Sequence, residues 1–198
     1  MKDENTWIVA THNAGKIKEI TQLFAPLGVK IQGAAEKGLP EPDETEPTFA
    51  GNAALKARSA MKATGLPALA DDSGLVVTAL GDQPGIHSAR WAGEPRDFNR
   101  AMARVHEELL KSGQTGWGAA FVCTLALARL DGRIDYYEGR VEGEIVWPPR
   151  GDGGFGYDPI FVPEGEMRTF GEMTSDEKKA HSHRARAFDR LIESEFPT

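Results

Sequence analysis

Cysteine is almost absent from this chain. Cys123 is the only cysteine among 198 residues, so no disulfide can form within the chain and a reducing compartment is expected. Long apolar runs are absent as well, since no stretch approaches the roughly 20 apolar residues that cross a bilayer. Residues 1–5 are polar and mixed in charge, and the short apolar stretch after them does not match a secretory signal. These absences predict a cytoplasmic protein that has no membrane partner.

An excess of positive charge is also missing. Lys and Arg total 23 against 30 Asp and Glu, which gives a formal net charge of −7. A surface of that sign repels a phosphate polymer, so a nucleic acid is not expected as a partner. A small phosphate ligand is compatible with this charge if cations are gathered at one place or a metal ion mediates.

The order of apolar and turn-forming residues predicts one α/β domain over residues 1–198, because no repeat or linker divides the chain. Alternating and helical spacings predict strands at 7–10, 29–31, 68–70, 75–80, 119–130, 134–146 and 160–162. They also predict helices at 17–24, 49–64, 98–112 and after 174, the last three capped by Thr48, Asp97 and Thr174. The mixture of strands and helices, with the hairpin signal at 131–132, predicts a mixed β-sheet with flanking helices and two lobes around a central cleft.

The segment Thr-His-Asn-Ala-Gly-Lys, residues 11–16, joins the first predicted strand to the first helix. A polar loop at a helix N-terminus presents backbone N–H groups to phosphate, and Lys16 would add a positive charge. It is not a Walker A loop, because it lacks the earlier glycine and Ile17 replaces the Ser or Thr that binds Mg²⁺. An ordinary strand-to-helix turn with a solvated lysine is the alternative.

Adjacent carboxylates follow the predicted strand at 68–70, where residues 71–74 read as a turn. Asp71 and Asp72 repel each other unless a cation or a donor offsets their charge. With Glu44 or Glu46 they could supply hard oxygen ligands to Mg²⁺. Both glutamates belong to the acidic loop, residues 38–47, which has three prolines and four acidic residues. The alternative is a turn in which Asp71 caps backbone amides and Asp72 is solvated.

The glycine-rich loop, Gly-Gly-Phe-Gly-Tyr-Asp-Pro at residues 153–159, holds three glycines within four residues. Glycines permit close approach of a ligand, and two aromatic side chains among them are typical of a site that stacks a nucleobase. A structural loop is the alternative.

Three further cations, Lys178, His183 and Arg184, lie in the predicted C-terminal helical region and could meet an anion or the edge of a nucleotide. Lys56 lies one helical turn after Asn52, on the polar side of its helix opposite the alanines. For all four side chains the alternative is a solvated helix face.

Taken in order, these segments resemble the inosine triphosphate pyrophosphatase family, in its bacterial dITP/XTP pyrophosphatase branch. The resemblance covers nearly the whole chain through six motifs, at residues 11–16, 48–57, 70–75, 84–90, 153–161 and 177–184. It implies an elongated mixed sheet, two α/β lobes with the substrate cleft between them, and a homodimer. It also implies a purine nucleoside triphosphate as substrate and Mg²⁺ as cofactor. Two positions depart from the family pattern: Gly51 stands where the family often carries Glu, and Trp91 where it usually carries Tyr.

The resemblance also implies roles for individual residues. Asp72 would be the base that accepts a proton from water, with Asp71 in support, and Glu44 and Asp72 would hold the metal. The residues that would hold the triphosphate are Thr11, His12, Asn13, Ala14, Gly15, Lys16 and Lys56. Those that would hold the sugar and base are Ser73, Phe155, Gly156, Tyr157, Asp158, Lys178, His183 and Arg184.

The implied reaction is cleavage between the α and β phosphates of ITP, dITP or XTP, which removes deaminated purines from the nucleotide pool. One rival is a Maf-type pyrophosphatase that prefers other nucleotides. Another is a non-catalytic nucleotide-binding protein, which would not need the acidic group.

Overall fold

The computed structural model describes residues 5–12 and 14–197 of the chain. Seven β-strands form within this part: β1 (Thr6–Val9), β2 (Lys30–Gly33), β3 (Ala68–Val77), β4 (Gln83–Pro84), β5 (Gly118–Ala128), β6 (Ile134–Ile145) and β7 (Phe161–Pro163). Its five α-helices are α1 (Ala14–Phe24), α2 (Phe49–Thr64), α3 (Phe98–Ser112), α4 (Ser175–His181) and α5 (His183–Glu195). No helix in the described ranges is long and apolar enough to cross a membrane.

The strands form one open mixed sheet in the order β2-β1-β3-β5-β6-β7, with β4 paired to β3. β1 runs parallel to β2 and β3, whereas β4 is antiparallel to β3 and β7 is antiparallel to β6. Parallel and antiparallel pairs in one sheet confirm the predicted α/β class with a mixed sheet. The substrate cleft and the single-domain organisation stay predictions.

Local capping residues set the ends of the helices as predicted. The Thr48 side chain accepts the N–H of Gly51 at the start of α2, and Gly65 ends that helix in the left-handed conformation at φ +64°. Asp97 caps α3 by accepting the N–H of Asn99, and Thr174 forms a capping box with Glu177 at α4.

The turn predicted at residues 71–74 is wrong, because β3 runs without interruption from Ala68 to Val77. Asp, Ser and Gly favour turns locally, but pairing with neighbouring strands and partners distant in sequence overrides that preference. Successive side chains of a strand point to opposite faces of the sheet, so the side chains of Asp71 and Asp72 are directed apart. The strand predicted to reach residue 80 ends at Val77, and Thr78–Leu80 forms a 3₁₀ turn.

One compact unit takes in the described residues of Met1–Asp72, Thr124–Tyr137 and Arg190–Thr198. Its core contains the predicted alanine face of α2, in which Ala53, Ala57 and Ala60 are buried. These small side chains pack with neighbours on the strands, Ile8 and Ala68 among them. Alanines allow α2 to lie close to the sheet, which fixes the position of the polar residues that α2 carries.

The other compact unit takes in Ser73–Cys123 and Glu138–Asp189. Its core is built from large side chains, and the rings of Phe121, Phe161 and Phe170 lie between 4.7 and 5.9 Å apart, centre to centre. Met102, Val105 and Leu109 of α3 are buried in the same core, as the helical spacing predicts. Phe98 is packed against it but only partly buried.

Candidate functional site

The first polar group of the site is an ion pair between Lys16 on α1 and Asp71 on β3. Lys16 Nζ donates to both carboxylate oxygens of Asp71, at 2.9 and 3.2 Å. Lys16 is the last residue of the segment that the sequence predicts to bind phosphate. The structure therefore places a carboxylate beside the predicted phosphate-binding cation. The sequence predicts both residues as part of the site but not their contact.

The second polar group joins α2 to the acidic loop. Lys56 Nζ donates to Glu44 Oε1 at 2.6 Å, and its side chain is only 9% exposed. Lys56 therefore does not lie on a solvated helix face, because the acidic loop covers it. Glu46, the alternative to Glu44 in the sequence, is exposed and directs its backbone N–H to the side chain of Asn52.

Charge accumulates around the ammonium group of Lys56. Burial lowers the pKa of Lys56, but the hydrogen bond to Glu44 opposes that effect. The negative charges of Asp72, Glu44 and Asp71 raise the pKa further, so that it lies above its ordinary value. Three carboxylates thus act on one buried cation, and Lys56 is positively charged throughout the neutral range.

Carboxylates near Lys56 are the candidate ligands for a metal ion. Within the described ranges, no group of three or more His, Cys, Asp or Glu side chains is arranged to hold one. Mg²⁺ is commonly bound through one or two carboxylates, with waters and substrate phosphates completing its shell. Glu44 and Asp72, which both act on Lys56, have the hard oxygen donors that such a site requires. The donor set therefore fits Mg²⁺ bound together with a phosphate ligand.

Two residues of the polar loop before α1, Thr11 and His12, contact other parts of the fold. Thr11 donates its N–H to the carbonyl of Val9 at 2.9 Å, so this amide is already used within the fold. His12 contacts the carbonyl of Leu39 through Nε2 at 2.8 Å, and its Nδ1 lies 3.9 Å from Glu41. The His12 side chain thereby contacts the start of the acidic loop.

The remaining residues of this predicted segment are less fully described. Asn13 lies outside the described residues, while Ala14 and Gly15 form the first turn of α1. A cavity of about 30 Å³ lined by His12 and Lys56 has room for about two water molecules and is too small for a nucleotide.

The glycine-rich loop is held together by Asp158. Its carboxylate accepts the N–H of Phe155 at 2.6 Å and also accepts from Lys178 Nζ. Asp158 is 2% exposed, and burial raises its pKa although Lys178 and the Phe155 amide act to lower it. A Cβ on Gly154 would lie 2.1 Å from Asp158 Oδ2, so only glycine allows the carboxylate this position. Asp158 and Lys178 thus fix the loop, and their predicted contacts with sugar and base stay predictions.

The two aromatic residues of the glycine-rich loop have different environments. Phe155 is 71% exposed, and its ring forms a T-shaped pair with that of Phe98, with 4.8 Å between ring centres. Tyr157 is buried, and its hydroxyl donates to the carbonyl of Ser88 at 2.8 Å. Between them Gly156 takes φ +69°, a conformation that favours glycine. Phe155 alone of the two presents a free ring face, and Phe98 supports it, a contact that the sequence interpretation missed.

Three of the residues predicted to hold the sugar and base lie on β3 and α5. Ser73 follows Asp72 directly on β3, and His183 and Arg184 open α5. The ring of His183 stacks on Phe121 at 5.1 Å with 14° between the planes. A Cβ on Gly139 would lie 1.9 Å from the carbonyl oxygen of His183, so β6 and α5 meet closely only because residue 139 is glycine.

Comparisons with a family model and with known proteins agree on one family for this chain. The Ham1 family model matches residues 7–194. A dITP/XTP pyrophosphatase of Zymomonas mobilis is 52% identical over 186 residues, covering 93% of this chain and 89% of that protein. Another protein of that name, from Bradyrhizobium, is 54% identical over 196 residues, covering 94% and 92%.

Solved structures agree with this result. A HAM1 protein from Coxiella burnetii superposes with a TM-score of 0.92 at 39% identity, covering 96% of this chain and 97% of that one. A nucleoside-triphosphatase / dITP/XTP pyrophosphatase from Mycobacterium abscessus superposes with a TM-score of 0.81 at 41% identity, covering 98% and 100%. The matched residues, the extent of identity and the shared fold together establish that this chain belongs to the Ham1 family.

Proposed function

We propose that this protein is a Mg²⁺-dependent hydrolase that converts dITP, ITP and XTP to the nucleoside monophosphate and pyrophosphate. The observation that carries the proposal is the group of two lysines and three carboxylates in which Lys16 pairs with Asp71 and Lys56 with Glu44. The names of relatives that are half identical over nearly the whole chain support the same substrate class.

The lysines are proposed to bind the triphosphate. Lys56 carries its charge at neutral pH because the surrounding carboxylates raise its pKa. In the protein without substrate these carboxylates balance the lysines, and phosphate oxygens would take over that role when the nucleotide binds. Phosphoryl transfer depends mainly on positioning and on neutralising charge, which two lysines near the phosphates supply.

Asp72 is proposed as the general base. It lies on β3 beside Asp71, is 8% exposed, and acts electrostatically on Lys56. One Asp72 carboxylate oxygen would accept a proton from the attacking water as the new bond to the α phosphorus forms. The bond between that phosphorus and the bridging oxygen then breaks, and pyrophosphate leaves. When bound by Glu44 and Asp72, Mg²⁺ would neutralise phosphate charge and lower the pKa of a coordinated water.

The family resemblance assigns selection of the base to the residues around the glycine-rich loop and at the start of α5. Phe155 would stack on any base and so contribute affinity without selectivity. Donors facing O6 of the purine would reject the amino group of adenine, and a donor or close wall at position 2 would reject that of guanine. Each mispaired buried polar group costs about 1–3 kcal/mol, so two or three suffice for discrimination.

The test is steady-state hydrolysis of ITP, XTP, dITP, GTP and ATP, with Mg²⁺ and with excess chelator, measuring pyrophosphate and orthophosphate separately. We expect Mg²⁺-dependent release of pyrophosphate from the first three nucleotides. Preference for other nucleotides would favour a Maf-type activity, and binding without product would favour a nucleotide-binding protein. The homodimer and the cytoplasmic location stay predictions.

A further inference from the structure

Asn52 is a polar side chain enclosed in the interior of the protein. It lies on α2 with no exposed surface, one turn before Lys56. Its Oδ1 accepts the backbone N–H of Glu46 at 3.0 Å. Because residues four apart lie on the same face of a helix, Asn52 and Lys56 both face the acidic loop, the first contacting its backbone and the second its Glu44 carboxylate.

The acidic loop also approaches the first turn of α2 very closely. A Cβ on Gly51 would lie 2.6 Å from Cβ of Glu46 and 3.1 Å from Oγ1 of Thr48. The absence of a side chain at residue 51 is therefore what allows Glu46 to reach the amide of Asn52. The contact between loop and helix at this point depends on a hydrogen bond between neutral groups and on close packing, not on ionic charge.

The chemistry of Asn52 indicates more than a packing role. Its Nδ2 is buried and has no hydrogen-bond partner among the described residues. Burying an amide whose NH₂ group has no hydrogen-bond partner costs free energy, so an apolar side chain of similar shape would suit a purely structural position better. The hydrogen bond from the Glu46 N–H to Asn52 Oδ1 offsets part of this free-energy cost.

We propose that Asn52 is a positioning residue, which fixes the backbone of the acidic loop at Glu46 so that the Glu44 carboxylate stays beside Lys56. The catalytic consequence rests on the proposed function, whereas the contact itself does not. When phosphate oxygens engage Lys56, its bond to Glu44 weakens, but the Asn52 bond to a neutral amide is unaffected. Asn52 would therefore hold Glu44 in place during substrate binding.

The first test measures hydrogen exchange at the backbone amide of Glu46 in the full-length protein. Asn52→Leu keeps the number and branching of the side-chain heavy atoms and removes the acceptor, so exchange at this amide should accelerate roughly 2- to 13-fold, the range that one neutral hydrogen bond contributes. Asn52→Asp keeps an acceptor oxygen and should restore protection. The matched control is Glu46→Ala, which removes an exposed carboxylate but keeps the N–H and should exchange like the parent. Unchanged exchange in Asn52→Leu would overturn the proposal.

The second test separates positioning from stability. A structural residue should lower the unfolding temperature when replaced, whereas Asn52→Leu should leave it unchanged or raise it. The same variant should need a higher Mg²⁺ concentration for half-maximal hydrolysis of ITP, and Asn52→Asp should need less than Asn52→Leu. Faster exchange with an unchanged Mg²⁺ requirement would refute the positioning role. If the parent protein hydrolyses no nucleotide, the proposed function fails, and the exchange comparison still decides whether Asn52 holds the loop.

Discussion

Replacing Phe155 by alanine separates affinity for the base from selectivity. Less than a third of Phe155 is covered in the structure, and its ring contacts that of Phe98. Truncating a fully buried Phe costs about 3–5 kcal/mol, so partial burial predicts a loss of folding stability of about 1 kcal/mol. Alanine retains the N–H that Asp158 accepts, so the glycine-rich loop should keep its conformation.

The expected loss in substrate binding is larger than the loss in stability. Stacking of a base on an aromatic ring contributes about 1–3 kcal/mol, which corresponds to roughly a 5- to 160-fold fall in kcat/KM. Because stacking does not depend on which groups the purine carries, ITP and GTP should be affected equally. Phe155→Tyr should retain most of the activity, since it keeps the aromatic face.

The assay is pyrophosphate release from ITP and GTP over a range of concentrations, with chemical denaturation of each variant. Leu110→Ala is the control, because Leu110 is similarly exposed at 60% in the same compact unit. A variant that hydrolyses GTP faster than the parent while losing ITP activity would show that Phe155 selects the base. An unchanged kcat/KM for both nucleotides would show that the ring does not contact the base.

Three further predictions concern the lysine and carboxylate group and the acidic loop beside it. Asp72→Asn should remove most turnover while the circular dichroism spectrum is retained, and near-normal hydrolysis would exclude a role as base. Gly51→Ala would ordinarily add about 0.5–1 kcal/mol to helix stability, but the new Cβ meets Glu46, so denaturation should show a loss that Glu46→Gly recovers. Above the unfolded lysine pKa of about 10.4, stability should fall as pH rises towards the higher folded pKa of Lys56, because its proton is held more tightly in the folded state. Denaturation between pH 9 and 11.5 should therefore show a steeper loss in the parent than in Lys56→Met, and equal slopes would contradict this reasoning.

Elements with strong local signals could be predicted from the sequence. The extent of α2 follows from Thr48 at its start, Gly65 at its end and alanines at helical spacing, all of which act within a few residues. The continuity of β3 through Asp71 could not be predicted in this way. Turn preference is a local property, whereas the partner of Asp71 is Lys16, 55 residues away in the chain.

The candidate site, too, could be predicted only in part from the sequence. The sequence identifies the types of residue involved, including Lys56 and Glu44, but not their pairing, because the path of the acidic loop is set by contacts across the fold. Asn52 is not among the residues that the sequence marks as functional, because it shares the polar side of α2 with Lys56 and is buried only in the folded structure, where it contacts the acidic loop. The contact between Phe98 and Phe155 could not be predicted either, because it depends on the conformation of the glycine-rich loop.

Hydrolysis of ITP in water enriched in ¹⁸O tests the proposed bond cleavage most directly. If water attacks the α phosphorus, mass spectrometry should find one ¹⁸O atom in inosine monophosphate and none in pyrophosphate. Label in pyrophosphate, or orthophosphate as the first product, would contradict the proposal that Asp72 and the paired lysines direct water to the innermost phosphorus.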